Sequence, residues 1–199
     1  SGEFRPRTEV RGGYKSPLVS LRNTAVVTDQ RTRVYMGYRK ENVDLKFTVQ
    51  DVRIWGGAPL VGGNGNSLGI AESWLKLTLK PNINLKIGRQ PISLDNERIF
   101  GALNWAQAGR FHDALTFNVH SKEKAPWNNQ LKFIASLNQS SSVLSKTRYA
   151  TQGSYKGLFG TYFKWANKAS GANGSFLSSY VLYPRKYHNL FPPATTDTF

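Results

Sequence analysis

Basic side chains recur at every second position in several segments of this 199-residue chain. Because alternate residues of an extended strand point to the same face, each series places its cations side by side. Where such a face lines a channel through a membrane, rings of Arg or Lys at its constriction favour the passage of anions. By this parity the sequence predicts the following pore-lining residues: Arg5, Arg7, Arg11, Arg31, Arg33, Arg39, Lys46, Arg53, Lys76, Lys86 and Arg89.

Five carboxylates occur close to these cations and are predicted to pair with them in the lumen: Glu9, Asp44, Asp51, Glu72 and Asp113. An unpaired charge is costly in a low-dielectric lumen, which favours pairing. For any single arginine, two roles remain possible from the sequence: an ion pair within the protein, or direct contact with a ligand. We interpret the alternation as slipping at residues 50–51 and 88–90, so the direction of Arg53 and Arg89 is open too.

Other kinds of chemistry find little support. The chain contains no Cys, which excludes thiol catalysis, disulfides and Cys-ligated metals. His112 and Asp113 adjoin, but neighbouring strand residues point to opposite faces, and no nucleophile elbow, metalloprotease helix or phosphate loop occurs. We therefore expect no enzyme, cofactor or metal, and a barrel-embedded hydrolase is the least favoured alternative.

The chain carries 27 Lys and Arg against 12 Asp and Glu, a formal charge of +15. A soluble basic β-sheet protein that binds nucleic acid or an acidic polysaccharide is the main alternative to a channel. Nucleic-acid binding would favour a clustered basic patch with exposed stacking aromatics. The cations instead occur along the whole chain, so we expect no nucleic-acid partner.

Period-two alternation of apolar and polar residues predicts an all-β protein. Nine strands are predicted, near residues 2–14, 28–39, 43–55, 70–80, 83–93, 111–120, 129–139, 154–166 and 175–183. Most have about the 9–11 residues that a tilted strand needs to cross a bilayer. Short turns alternate with longer connections, the layout of outer-membrane barrels. Strand-end aromatics such as Trp55, Trp74 and Trp165 are typical of interface girdles.

Several motifs occur together between residues 85 and 114. A strand ends in Gly88, Arg89 and Gln90, and an acidic segment follows with Asp95, Glu97 and Arg98. Trp105 lies next, and Arg110 and Asp113 open the following strand. These motifs, with residues 4–9 and 50–55, resemble the alginate-export family of outer-membrane barrels over roughly residues 3–120.

The resemblance implies an antiparallel transmembrane β-barrel of about 16–18 strands, of which this chain supplies about nine. We therefore expect residues 1–199 to form a single barrel domain, as the N-terminal portion of a longer chain, and a small complete barrel is the alternative. The prolines and missing alternation of residues 191–199 favour the first interpretation.

The expected function is that of a porin-like channel in the outer membrane of a Gram-negative bacterium. A basic lumen would let anionic solutes or an acidic oligosaccharide pass without a cofactor. The expected partners are outer-membrane lipid, lipopolysaccharide and the anionic solute, with a larger membrane assembly as a further possibility.

Overall fold

The protein is all-β in a computed structural model that describes residues 1–12, 24–58, 67–122, 125–138 and 155–182. The nine predicted strands are confirmed: β1 (Gly2–Arg11), β2 (Ala25–Lys40), β3 (Val43–Ile54), β4 (Leu68–Lys80), β5 (Ile83–Gln90), β6 (His112–His120), β7 (Gln130–Leu137), β8 (Gly157–Ala166) and β9 (Asn173–Leu182). Within the described ranges, no helix is long and apolar enough to cross a membrane.

The nine strands form one antiparallel sheet in chain order, β1 to β9. Each strand pairs with its sequence neighbour, so the topology is a simple meander. Two-residue turns at 41–42 and 81–82 join β2 to β3 and β4 to β5. Over the described residues, β1 and β9 have no strand on their outer sides, so the sheet is open and the predicted wider barrel stays a prediction.

The two faces of the sheet differ sharply in chemistry. Directly paired residues lie on the same face of an antiparallel sheet. The pairs Arg5–Arg31 and Arg7–Asp29 therefore share one side, which we call the charged face. The other side, which we call the apolar face, carries Val34 of β2 and Phe47 of β3. Its large side chains are exposed: Val34 is 52% and Phe47 38% accessible.

A long connection, residues 91–111 between β5 and β6, lies across the charged face, and we call it the crossing loop. Its apolar side chains Ile92, Leu94 and Phe100 are buried. They pack against side chains of β6 to β8 on the charged face, namely Ala114, Ile134, Leu158 and Tyr162. The core of the described residues therefore lies between the crossing loop and one half of the sheet.

The crossing loop also shows that the sheet is curved. Asp95 accepts a hydrogen bond from Ser175 of β9, whereas the Asn104 carbonyl accepts one from Arg5 of β1. Eight strand spacings would separate β1 from β9 by about 38 Å in a flat sheet. A backbone hydrogen bond closes residues 94–100 into a turn, and the four residues leading on to Asn104 extend at most about 14 Å. Because strand side chains stand roughly perpendicular to the sheet, the charged face must be concave.

Residues 183–199 lie outside the described residues. The expectation that was based on residues 191–199, a chain that continues into further strands, therefore stays a prediction.

Candidate functional site

Three of the predicted pore-lining arginines bind the backbone of the crossing loop closely, and Arg7, whose main partners are carboxylates, also donates to the Trp105 carbonyl at 3.4 Å. Arg5 donates to the carbonyls of Asn104 and Ala106 at 2.7 and 2.9 Å. Arg31 donates to the Ala106 and Gln107 carbonyls at 3.2 and 3.3 Å, and Arg33 to the Ala108 carbonyl at 3.2 Å. All three lie on the charged face, as their parity predicts, but their guanidinium groups are used to hold the loop.

Arg31 is the most enclosed of these cations, with an accessible fraction of 1%. It forms a salt bridge with Glu3, whose second carboxylate oxygen accepts a hydrogen bond from Tyr35 at 2.6 Å. Arg33 lies beside it and donates twice to Gln50. A buried guanidinium needs this many acceptors, because its desolvation is otherwise uncompensated.

The other arginines of the charged face pair with strand carboxylates. Arg7 contacts Glu9 and Asp29 at 3.0 and 2.9 Å, and Arg11 reaches Glu9 at 2.6 Å. Arg39 pairs with Asp44 near the turn end of β2. These guanidiniums are partly or largely exposed, so solvent screens each pair and it contributes little to stability.

A row of lysines lies on the charged face between the crossing loop and the turn end of the sheet. Lys46 binds Glu72 at 2.7 Å, and Lys76 pairs with Asp44. Lys86 stacks over the ring of Trp74, 3.9 Å from its centroid, a close cation–π geometry. Lys46 and Lys76 keep about a third of their side chains exposed. This row, rather than the loop-bound arginines, presents cations to the concave space.

The sequence analysis missed two members of the same row. Lys132 of β7 and Lys164 of β8 also lie on the charged face, since Lys132 pairs with Asn118 and Tyr162, and Lys164 with Gln130. Their alternation with Phe133 and Phe163 is visible in the sequence and would have found them. Together with Lys46, Lys76 and Lys86 they form what we call the lysine row, which extends over β3 to β8.

Four predicted lumen residues lie on the apolar face instead. Arg53 and Asp51 pair opposite Gln30 and Thr32, in register with the exposed apolar row of β3. Arg89 and Asp113 pair opposite each other and form a 3.3 Å salt bridge. The reason is that β3 and β5 keep their alternation to the end, with no slip at residues 50–51 or 88–90.

The motif residues of the resemblance have mainly structural contacts. Gly88 has a φ of +116°, and an added Cβ would meet the Ser73 carbonyl. Gln90 is 2% exposed and donates to the Ala114 carbonyl at 2.8 Å. In the crossing loop, Glu97 accepts from a neighbouring serine, whereas Arg98 and Trp105 are exposed and Arg110 closes the loop through its backbone N–H.

Asp95 joins the crossing loop to the far strands. Its two carboxylate oxygens accept hydrogen bonds from Tyr162 and Ser175, both at 2.7 Å, and Lys164 Nζ lies 3.5 Å away. These hydroxyl donors, with the nearby lysine, hold the pKa of the Asp95 carboxyl below its usual range. The carboxylate is therefore fully used by protein groups.

A second cluster that the sequence analysis missed lies under the crossing loop. His112 Nδ1 is 2.8 Å from the Tyr155 hydroxyl, which is 3.0 Å from Ser136 Oγ. Ser136 in turn donates to the Asp113 carbonyl at 2.6 Å. These residues come from separate segments, so no local spacing announces them. Ser136 and His112 are both buried and contact each other only through the Tyr155 hydroxyl, so His112 is not placed to take a proton directly from Ser136.

A scan against models of protein families finds no match for this chain, and a search of curated proteins finds none either.

Proposed function

We propose that this chain forms part of an outer-membrane β-barrel channel of the alginate-export type, with a basic lumen that passes anionic solutes. The observation that supports this most is the inversion of the two faces. A soluble protein buries its apolar face, whereas here charged groups line the concave, loop-covered face and the convex face exposes Val34, Phe47, Ile87 and Phe176.

The stagger of the hairpins supports a tilted, barrel-like arrangement. Each hairpin extends further at its turn end than the hairpin before it. Lys80 of β4 lies three residues beyond the partner of Val43, His120 of β6 lies one residue beyond the partner of Ile83, and Ala166 of β8 lies two residues beyond the partner of Gln130. The mean step is about one residue per strand, always in the same direction. With a rise of about 3.3 Å and a spacing of about 4.8 Å, strands whose turns share one membrane surface would tilt by about 35°. Outer-membrane barrels have tilts of about 35–45°.

The apolar face carries a belt of apolar side chains that begins at the turn end of each strand. On β3 it runs from Val43 to Val49 and ends at Asp51, and on β5 it runs from Ile83 to Ile87 and ends at Arg89. The six residue steps on β3 and the four on β5 correspond to about 16 and 11 Å along the membrane normal at a 35° tilt. Because this belt is thinner than the usual band of about 25 Å, the bilayer would have to thin locally for Arg89 to lie at the interface, where a lipid-facing arginine costs only about 0–1 kcal/mol.

The concave space would attract anions through the lysine row. Five lysines there outnumber the three carboxylates that contact them, Asp44, Glu72 and Asp95. Passage is passive: the lysines replace part of the solute's hydration shell and must then release the solute again. The crossing loop, held by the arginines, would narrow this passage. The solute class would be small anions or an acidic oligosaccharide, and the membrane partners would be lipid and lipopolysaccharide.

A selectivity measurement tests the channel. The intact barrel protein that contains this chain is reconstituted in planar bilayers with a salt gradient, and reversal potentials are compared for the native protein, a Lys76→Gln/Lys86→Gln variant and a matched Lys40→Gln/Arg53→Gln control. The control removes two cations from the apolar face. We expect anion preference in the native chain and the control, and a clear decrease when Lys76 and Lys86 are neutralised. Absence of conductance, or equal reversal potentials in all three, would reject the proposal.

Detergent partitioning separates this proposal from a soluble basic β protein. A barrel enters detergent micelles and migrates on gels in a heat-modifiable way. A chain that stays monomeric in buffer without detergent and shifts nucleic acid at moderate salt would instead support the soluble alternative.

A further inference from the structure

His112, the first residue of β6, is enclosed between the sheet and the crossing loop. Its ring stacks on Tyr155 with centroids 5.8 Å apart, and the edge of Phe100 from the crossing loop meets it at 6.3 Å. Only 9% of the residue is exposed. Phe100 itself is 7% exposed, so the loop and the imidazole cover each other.

The hydrogen bonds of this imidazole suit its neutral form. Nδ1 is bonded to the Tyr155 hydroxyl at 2.8 Å. Burial raises the pKa of Tyr155, so this hydroxyl keeps its proton and can donate either to His112 or to Ser136. His112 Nε2 is buried and has no hydrogen-bond partner among the described residues. The neutral tautomer with its proton on Nδ1 leaves Nε2 as an unused acceptor, whereas the protonated ring would place a buried N–H there without an acceptor, which costs about 1–3 kcal/mol or more.

The surrounding charges do not compensate a proton on this ring. The charged groups that act on His112 are Arg110 of the crossing loop, Arg89 of β5 and Asp113 beside it in β6. Asp113 projects from the opposite face and is paired with Arg89. The packed partners Phe100 and Tyr155 offer no negative charge. An imidazolium is therefore stabilised only if the crossing loop moves away and admits water.

We propose that the crossing loop is an acid-sensitive gate, in which protonation of His112 displaces Phe100 and moves residues 96–103 of the loop away from the concave face. Because a state that binds a proton more readily is populated as pH falls, acid favours the released form. Both flanks stay fixed: Asp95 is held by Tyr162 and Ser175, and the later part of the loop is held by Arg5, Arg31 and Arg33 through backbone carbonyls and by Asp29, which accepts a hydrogen bond from Gln107. Carboxyl groups titrate at about pH 4, below the range of an imidazole, so these contacts persist when His112 is protonated. The consequence for conductance rests on the proposed channel function, but the loop movement does not.

Distance measurements between two spin labels test the movement directly. The chain has no Cys, so labels at Ile99→Cys in the crossing loop and Ala169→Cys in the β8–β9 turn are the only ones. Ile99 is 66% exposed, and a label there disturbs no packing. In lipid vesicles we expect one narrow distance at about pH 7.5 and a second population at about pH 5. The ratio of the second population to the first should rise by up to about tenfold for each unit by which the pH falls, which is the limit for the uptake of one proton.

Three variants assign the response to His112. His112→Gln keeps a polar group near Tyr155 without a titrating ring, and His112→Phe keeps the ring without a proton site; both should stay in the narrow distribution at each pH. His120→Gln, at the other end of β6, should respond like the native chain. A native chain whose distances do not change with pH would overturn the gate. Persistence of the acid response in His112→Gln would overturn the assignment to His112. Loop movement in a chain that does not conduct would reject the channel alone.

Discussion

The side chain whose removal should affect the crossing loop most is Arg31. Its guanidinium is almost fully buried, forms a salt bridge with Glu3 and donates to loop carbonyls of residues 104–107. Arg31→Met keeps the length of the apolar stem but removes every one of these hydrogen bonds. It also leaves the Glu3 carboxylate with Tyr35 as its remaining donor at this site. Removing one partner of a buried ion pair typically costs about 3–5 kcal/mol.

The lower end of that range, about 3 kcal/mol, corresponds to a change of about a hundredfold in the unfolding equilibrium. Urea unfolding from lipid vesicles, followed by tryptophan fluorescence, should show this loss for Arg31→Met. Arg53→Met is the matched control, because Arg53 lies on the apolar face with nearly half its side chain exposed and its removal should cost far less stability. Arg31→Lys should be intermediate, since an ammonium cannot reproduce the guanidinium fork. Equal stability of Arg31→Met and Arg53→Met would refute the role of Arg31 in holding the loop.

Two further predictions concern a glycine and a carboxylate. Gly88→Ala should destabilise the sheet by about 2 kcal/mol or more, because φ is +116° and the new Cβ would meet the Ser73 carbonyl, whereas Gly69→Ala has open space and should be nearly neutral in the same unfolding assay. Asp95 has a lowered pKa, so the stability it contributes is complete above its ordinary value of about 4 and is lost as pH falls further. Asp95→Asn should abolish this part of the acid dependence below about pH 4, and an unchanged acid profile would contradict the contact with Tyr162.

The sheet itself could be predicted from the sequence because alternation is a local property. Each predicted strand overlaps the observed one, and the largest errors lie at ends such as Ala25, which the prediction placed three residues later. The parity of Arg5 and Lys46 also assigned them to one face correctly. These features depend only on neighbouring residues, and they are therefore readable without the fold.

The assignments of Arg53 and Arg89 show where local reasoning fails. A charged residue in an apolar row suggested a slip in alternation, yet β3 and β5 continue without one. Such a residue is tolerated because it lies at the edge of the apolar belt beside its own carboxylate, Asp51 or Asp113. That position depends on how the strands are staggered, which the sequence of one strand does not contain.

The crossing loop was the least predictable feature. Its acceptors for Arg5, Arg31 and Arg33 are backbone carbonyls, which every residue has, so no residue type announces them. The burial of Phe100 against His112 likewise joins two segments only through the curvature of the sheet. The sequence could show a long connection but not where it lies.

The proposed channel depends most on which face of the sheet meets lipid. Single cysteines carrying spin labels at Phe47 and Leu115 on the apolar face, and at Lys46 and Lys86 on the charged face, measure this in lipid vesicles. We predict that the first pair is relaxed by oxygen dissolved in the hydrocarbon and the second by a water-soluble nickel complex. If the labels at Phe47 and Leu115 instead contact the aqueous reagent as strongly as those at Lys46 and Lys86, the chain does not present its apolar face to a bilayer and the channel proposal is wrong.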